Sequence, residues 1–203
     1  TDKDKKLVYL YATDKDEQHS YIESATEKGY DVLVMDGVLD NHFINQLEQK
    51  LENTSFTRVD ADTIDNLIKK DDTEAPSKLD DKQKETIKPI FEKVVDKGKF
   101  HVDFKNLSES DMPVMITQNE FMRRMKDMSA IGGGGMMGMG NFPDNYNLVV
   151  NTNHKLVYDL LQEENEEKRE KMAKQLTDLA LLSQNLLKGE DLTKFIKRSV
   201  EIL

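Results

Sequence analysis

The chain of 203 residues contains no cysteine, no tryptophan and only four prolines. Without cysteine there is no disulfide and no thiolate metal ligand, so stability has to come from packed cores, and a reducing, cytoplasmic setting is the expectation. No apolar run approaches the roughly 20 residues that span a bilayer. No apolar signal segment follows the polar start Thr1-Asp2-Lys3-Asp4-Lys5-Lys6, and no membrane partner is expected. Positive charge is in deficit, with 29 Lys and Arg against 39 Asp and Glu and a net charge of -10. Phosphate binding calls for clustered cations, so nucleic acid is not an expected partner. The four histidines, His19, His42, His101 and His154, stand far apart and outside any metal-binding spacing. They read as surface or capping residues, and no metal is expected. The missing initiator methionine, with a strand-like run almost at once, points to a piece of a longer protein.

A hydrophobic fraction of 37% is enough for two small cores. Leu7-Val8-Tyr9-Leu10-Tyr11 is β-prone, Asp14 to Lys28 reads as a helix closed by Gly29, and Asp31 to Met35 is a second apolar strand. A helix over Asp40 to Leu51, with Phe43, Ile44, Leu47 and Leu51 on one face, and a strand over Ser55 to Val59 complete a small βαβαβ unit. Lys69 to Ser77 lacks apolar periodicity and carries Pro76, which places a boundary near residue 72 and divides the chain into 1–72 and 73–203. Beyond it, Ile87, Ile90, Phe91, Val94 and Val95 predict a helix up to Gly98 that Pro89 kinks or restarts. Phe100, Val102 and Phe104 alternate with polar residues as in a half-wet strand. Met112 to Ile116 and Tyr146, Leu148 and Val150 supply two more strands. From His154 the pattern is helical, broken near Glu163 to Glu167 and at Gly189. The fold class is therefore α+β: a βαβαβ subdomain, then an α+β domain with a three-stranded sheet and a C-terminal helical bundle.

Eight of the ten methionines fall between Met112 and Met139. Thr117-Gln118-Asn119-Glu120 has capping-box spacing and predicts a helix through about Ile131. Phe121, Met122, Met125, Met128 and Ile131 line one broad face of it, while Arg123, Arg124, Lys126 and Asp127 supply polar positions. That face either packs on the three-stranded sheet or forms an adaptable surface for varied apolar partners, for which flexible thioethers are suited. The tract Gly132 to Gly140 follows, unable to hold regular structure and expected to be mobile. The next-to-last helix carries Met172, Leu176, Leu179, Leu182 and Leu186 in a stripe, and the last carries Leu192, Phe195, Ile196 and Val200. Two copies of the chain forming a four-helix bundle would bury this surplus, making a homodimer with Leu179, Leu182, Leu186, Phe195, Ile196 and Val200 at its interface.

No catalytic constellation is visible. Gly132 to Gly135 lacks the Gly-Lys-Ser/Thr ending of a phosphate loop. Asp14 and Asp36 fall at strand ends, where α/β sheets place ligands, so a nucleotide-binding or phospho-acceptor domain with a helical oligomerisation module stands as the alternative. Glu163, Glu164, Glu166 and Glu167 read as a solvated helix start.

Taken in order, several segments resemble the bacterial heat-shock protein 90 chaperone family over essentially the whole chain. Leu10-Tyr11-Ala12-Thr13 and Lys28-Gly29-Tyr30-Asp31-Val32-Leu33-Val34-Met35 are similar to the last small subdomain of the family's middle domain. Phe121-Met122-Arg123-Arg124-Met125 resembles its Met-bearing helix. Asn147 to His154 resembles its strand-to-helix segment E-I-N-P-x-H, with Thr152 in place of proline and Val149 in place of the acid. Leu176 to Leu182 and Asp191 to Arg198 are similar to its dimerisation helices. The resemblance implies an ATP-driven, homodimeric folding chaperone acting on unfolded or partly folded client proteins. ATP and magnesium would bind upstream, this region would have no enzymatic activity and no cofactor of its own, and client contact would fall to the Met helix. The end at Ile202-Leu203, without an M-E-E-V-D tail, implies no tail-mediated tetratricopeptide co-chaperone.

Overall fold

The computed structural model describes residues 2, 5–68, 76–131 and 145–202, without the side chains of 126–131 and 202. The tract Gly132 to Gly140 and most of the expected linker, 69–75, lie outside the described residues. The architecture is α+β, in two compact units: Thr1–Glu74 with Thr117–Tyr146, and Ala75–Ile116 with Asn147–Leu203.

The first unit is built on β1 (Leu7–Ala12), α1 (His19–Glu27), β2 (Val32–Val34), α2 (Asp40–Lys50) and β3 (Thr54–Arg58). The strands form a parallel sheet in the order β2-β1-β3, the connectivity in which each return needs a crossover helix. Leu10, Tyr11 and Ala12 in the central strand are buried in succession, as befits a strand covered on both faces. Tyr9 pairs with Phe56 across β1 and β3, and their rings stack at 4.9 Å.

Helix α1 begins later than its periodicity predicts because Asp14 to Gln18 is held in turns. The Asp14 carboxylate accepts the Asp16 and Glu17 N–H groups at 2.9 Å, and the Gln18 amide oxygen accepts those of Thr13 and Asp14. Gly29, at φ +79°, takes the left-handed position just beyond the helix, as expected. In α2, Ile44 packs with Tyr11 and Phe56, and Leu47 lies partly buried against them. Phe43 and Leu51, expected on the same face, are exposed: Phe43 is about 100° around the helix from Ile44, and Leu51 has left the helical spiral with ψ 114°. A short helix, α3 (Ile64–Leu67), not foreseen from the sequence, adds the buried Ile64.

The second unit opens with α4 (Asp81–Val94), whose start is fixed by a reciprocal cap: Asp80 accepts the Gln83 N–H and Gln83 accepts that of Asp80, both at 2.8 Å. Pro89 neither ends nor restarts this helix. It and Glu85, whose carbonyl loses its donor, are both exposed, so water can replace the missing bond while Ile87 and Phe91 stay fully buried. The sheet consists of β4 (Phe100–Lys105), β5 (Val114–Thr117) and β6 (Tyr146–Asn151), in the order β4-β6-β5. Central β6 buries Leu148, Val149 and Val150 consecutively instead of alternating. Three helices close the chain: α6 (Lys155–Gln162), α7 (Glu166–Ser183) and α8 (Gly189–Ile202). His154 caps α6 through Nδ1, which accepts the Leu156 N–H at 3.1 Å, and Asn165 caps α7. Glu166 and Glu167 occupy the first turn of α7, where negative charge suits the helix dipole.

The Asn151-Thr152-Asn153-His154 segment is buried up to His154. Asn151 Nδ2 donates to the Ser108 carbonyl at 2.8 Å and Asn153 Nδ2 to that of Leu107 at 2.9 Å. Asn153 Oδ1 accepts the Lys78 N–H, also at 2.8 Å. Three side-chain amide contacts thus tie loop backbone groups to this segment, among them the carbonyl of buried Leu107.

Candidate functional site

The Met-bearing helix, α5 (Glu120–Ile131), belongs to the first unit. Its cap is Asn119, whose Oδ1 accepts the N–H groups of Phe121 and Met122, and not Thr117, which is the last residue of β5. The predicted capping box is displaced because the strand holds Thr117, and this leaves Glu120 free for another role. Glu120 Oε1 accepts from the Tyr11 hydroxyl at 2.7 Å, from Arg123 Nη2 at 2.8 Å and from Arg124 Nε at 2.6 Å. Arg123 also donates to the Tyr11 hydroxyl oxygen and lies over the Tyr11 ring. Arg124 forks onto Glu48 of α2, with Nη1 at 2.7 Å from Oε2, and donates to the Phe56 carbonyl of β3.

Burial alone would raise the Glu120 carboxyl. The charges of Arg123 and Arg124 and the hydrogen bonds it accepts outweigh that and hold it below the usual carboxylate range. Burial first, and the Glu120 charge second, push ionisation of the Tyr11 hydroxyl well above its ordinary value, so it stays a donor. Burial lowers the Arg124 value, but hydrogen bonding to Glu48 and the Glu120 charge more than restore it. The Tyr11 hydroxyl thus keeps its proton and donates a hydrogen bond to an ionised Glu120.

Over the described part of α5 the charged side is the more buried one. Arg123, read from the sequence as one of the polar positions, is only 2% exposed, whereas Phe121 is 68% exposed and Met122 and Met125 are half-buried. The side chains of Met128 and Ile131 lie outside the described residues. The signal for the cluster was present in the spacing of Glu120 with Arg123 and Arg124, at i+3 and i+4, which places all three on one helix face. The tyrosine and the second carboxylate come from distant segments and left no such trace.

In the second unit, α7 buries Ala173, Leu176, Thr177 and Ala180, and α8 buries Phe195. Leu179, Leu182, Ile196 and Val200 are exposed, Val200 at 65%, and Leu186 is half-buried. Asp178, 1% exposed, joins the two helices: Arg198 Nη2 donates to it at 2.6 Å, Lys174 pairs with it, and Arg198 Nε donates to Gln175 at 2.7 Å.

Asp14 and Asp36, the residues of the alternative reading, stand in separate loops after β1 and β2. Asp14 is engaged in its own turn, Asp36 is exposed after β2, and no glycine-rich loop joins a strand to a helix beside them. Among the described residues no group of three or more His, Asp or Glu is placed to hold a metal ion, and no helix is long and apolar enough to cross a membrane.

A family profile described as Hsp90 protein matches residues 1–202. The chain belongs to the Hsp90 family. It is 39% identical to the chaperone protein HtpG of Bacteroides fragilis (strain 638R) and to that of Bacteroides thetaiotaomicron (strain VPI-5482), in each case over all of this chain and 39% of the relative. It is 48% identical to the HtpG of Porphyromonas gingivalis (strain W83) over 82% of this chain and 24% of that protein. This Hsp90-family chain thus spans well under half the length of these relatives. The Bacteroides alignments run over 270 positions against 203 residues here, so those proteins carry internal segments that this chain lacks.

Proposed function

We propose that this chain is the dimerisation and client-contact region of an ATP-dependent molecular chaperone that assists protein folding under stress. In this reading residues 1–72 are the end of a middle domain and 73–203 a C-terminal dimerisation domain. The chain itself is not an enzyme. ATP and magnesium bind elsewhere in the longer cytoplasmic protein, and the partners of this region are a second copy of itself and unfolded or partly folded polypeptides. The observation that carries the client role is the outward position of Phe121 beside half-buried Met122 and Met125, on a helix whose Glu120, Arg123 and Arg124 bond to the rest of its unit. Exposed thioether and aromatic groups offer apolar contact without demanding one partner shape. Exposed Leu179, Leu182, Ile196 and Val200 support the dimer in the same way.

Two measurements on the 203-residue chain test this reading. Sedimentation at micromolar concentration should give twice the chain mass, and a reduced, unfolded α-lactalbumin probe should be retained by the parent and less so by Phe121→Asp. A strict monomer overturns the dimer role, and equal retention by parent and variant overturns the client role.

A further inference from the structure

The described part of α5 is attached to its unit by its charged side, contrary to the usual rule for an amphipathic helix, which buries its apolar stripe. Glu120, Arg123 and Arg124 stand at i, i+3 and i+4 and face Tyr11, Glu48 and the Phe56 carbonyl. Phe121, Met122 and Met125 occupy the neighbouring face and stay wholly or partly in solvent. A helix with these two faces has two ways to lie on a support. Rolled about its axis, it would cover the apolar face and return the two guanidiniums to water.

Apolar burial alone favours the rolled arrangement, so something has to oppose it. We infer that Tyr11, Glu48, Glu120, Arg123 and Arg124 form a polar clamp that sets the roll of α5 and keeps the Phe121 face turned outward. They act as positioning residues for that face. The inference rests on the client-surface reading only for what the exposed face contacts; the choice between two rolls stands on the geometry alone.

Three features give the clamp its authority over the roll. Its bonds to the support are directional, Tyr11 to Glu120, Arg123 to Tyr11 and Arg124 to Glu48 and the Phe56 carbonyl, so they exist in one roll only. Rolling would leave Glu48, on α2, without its guanidinium partner in a partly buried place, a heavy penalty for a carboxylate. The support is also fixed, since Tyr11 and Phe56 belong to the buried core of the parallel sheet. Removing clamp members one at a time therefore shifts a two-state balance toward the arrangement that hides the apolar face.

The absence of tryptophan from the chain makes the roll measurable. Phe121→Trp places a single fluorescent indole at the most exposed apolar position described on α5. In that background the emission should be red-shifted and readily quenched by acrylamide. Adding Arg124→Met or Tyr11→Phe should move the emission to the blue and cut the quenching constant several-fold, with unchanged far-ultraviolet circular dichroism, while Arg124→Lys should give a partial effect. Indole emission that stays red and equally quenchable in folded Arg124→Met and Tyr11→Phe proteins overturns the clamp. If Arg124→Met fails to fold, the milder Tyr11→Phe decides alone. Retention of unfolded α-lactalbumin separates the two ideas: a blue shift with unaltered retention keeps the clamp and removes the client surface. An unmoved indole, with retention still lost in Phe121→Asp, does the reverse.

Discussion

Arg124 on α5 and Glu48 on α2 meet at 2.7 Å, and the same carboxylate accepts the Phe56 N–H of β3 at 2.7 Å. One ion pair therefore binds a helix from late in the sequence to both a helix and a strand of the parallel sheet. Both side chains are mostly shielded, so solvent screening removes only part of the interaction. In a double-mutant cycle of Glu48→Gln and Arg124→Gln, we expect a coupling of about 1 to 2 kcal/mol, with each single change costing about 2 kcal/mol. Urea unfolding followed through the first unit measures it, and additivity would show that the pair does not tie α5 down.

Glu120 gives the first unit an acid limit. Its carboxyl lies below its ordinary value in the folded chain, so the folded state binds its proton less readily than the unfolded chain does. The resulting stabilisation is complete above the unfolded value and is lost as pH falls through the lower folded one. Urea midpoints should hardly depend on this group from pH 7 to about pH 5 and should fall below about pH 4.5. Glu120→Gln should be less stable at neutral pH and should flatten the acid limb by about one proton. An acid limb of equal slope in parent and variant would place the titration elsewhere.

The parallel βαβαβ unit, the second sheet and the three closing helices were legible because each rests on local pattern: apolar runs, alternation and helical spacing. The exceptions have a common cause. Phe43 and Leu51 were assigned inward by periodicity, yet α2 turns Ile44 and Glu48 toward the sheet, and Glu48 serves a residue on α5. Arg123 was read as one of the polar positions of α5, and it is buried because Tyr11, over a hundred positions earlier, provides its acceptor. Local hydropathy cannot register a partner brought in by tertiary structure, and such partners decide the α5 site. The stripe on α7 was similarly mixed: Leu176 faces the unit's interior, and Leu179 and Leu182 do not.

The clasp between α7 and α8 depends on a buried carboxylate. Asp178 is held by Arg198 and Lys174, and Arg198 comes from the other helix. Arg198→Met keeps most of the side-chain volume and removes one of the two cations. The remaining lysine limits the damage, so a loss of about 2 to 3 kcal/mol is expected rather than that of an isolated buried charge. Asp178→Asn with Arg198→Met should recover part of it. Thermal unfolding of the second unit provides the measurement, and no loss in the single variant would mean that Lys174 alone satisfies Asp178.

The exposed face of α5 predicts a separation of stability from contact. Phe121 has little burial to lose, so Phe121→Asp should shift the stability of the chain by no more than about 0.5 kcal/mol. Met125→Asp, at a half-buried position, should cost more, about 1 kcal/mol. Both should weaken retention of an unfolded polypeptide. A large fall in stability for Phe121→Asp would show that this ring serves packing.

The dimer proposal makes the sharpest quantitative demand, because a two-fold interface counts every substitution twice. Ile196 and Val200 lie one helical turn apart on α8, and Leu179 and Leu182 lie at i and i+3 on α7; all four are exposed in the single chain. Fully burying such a side chain is worth about 1.5 to 3 kcal/mol, and these are already partly covered, so about 1 to 1.5 kcal/mol remains to be gained at each. Ile196→Asp forfeits that gain in both copies and adds the cost of desolvating two carboxylates. The dissociation constant should therefore rise by about a hundredfold or more. Leu179→Asp should act in the same direction. Phe195→Ala differs because the ring is buried within its own unit: it should lower the melting temperature at concentrations where Ile196→Asp leaves it close to that of a dilute parent. Sedimentation equilibrium across a concentration series, paired with thermal unfolding, distinguishes these outcomes. If Ile196→Asp and Leu179→Asp both dimerise as tightly as the parent, the α7 and α8 faces are not the interface.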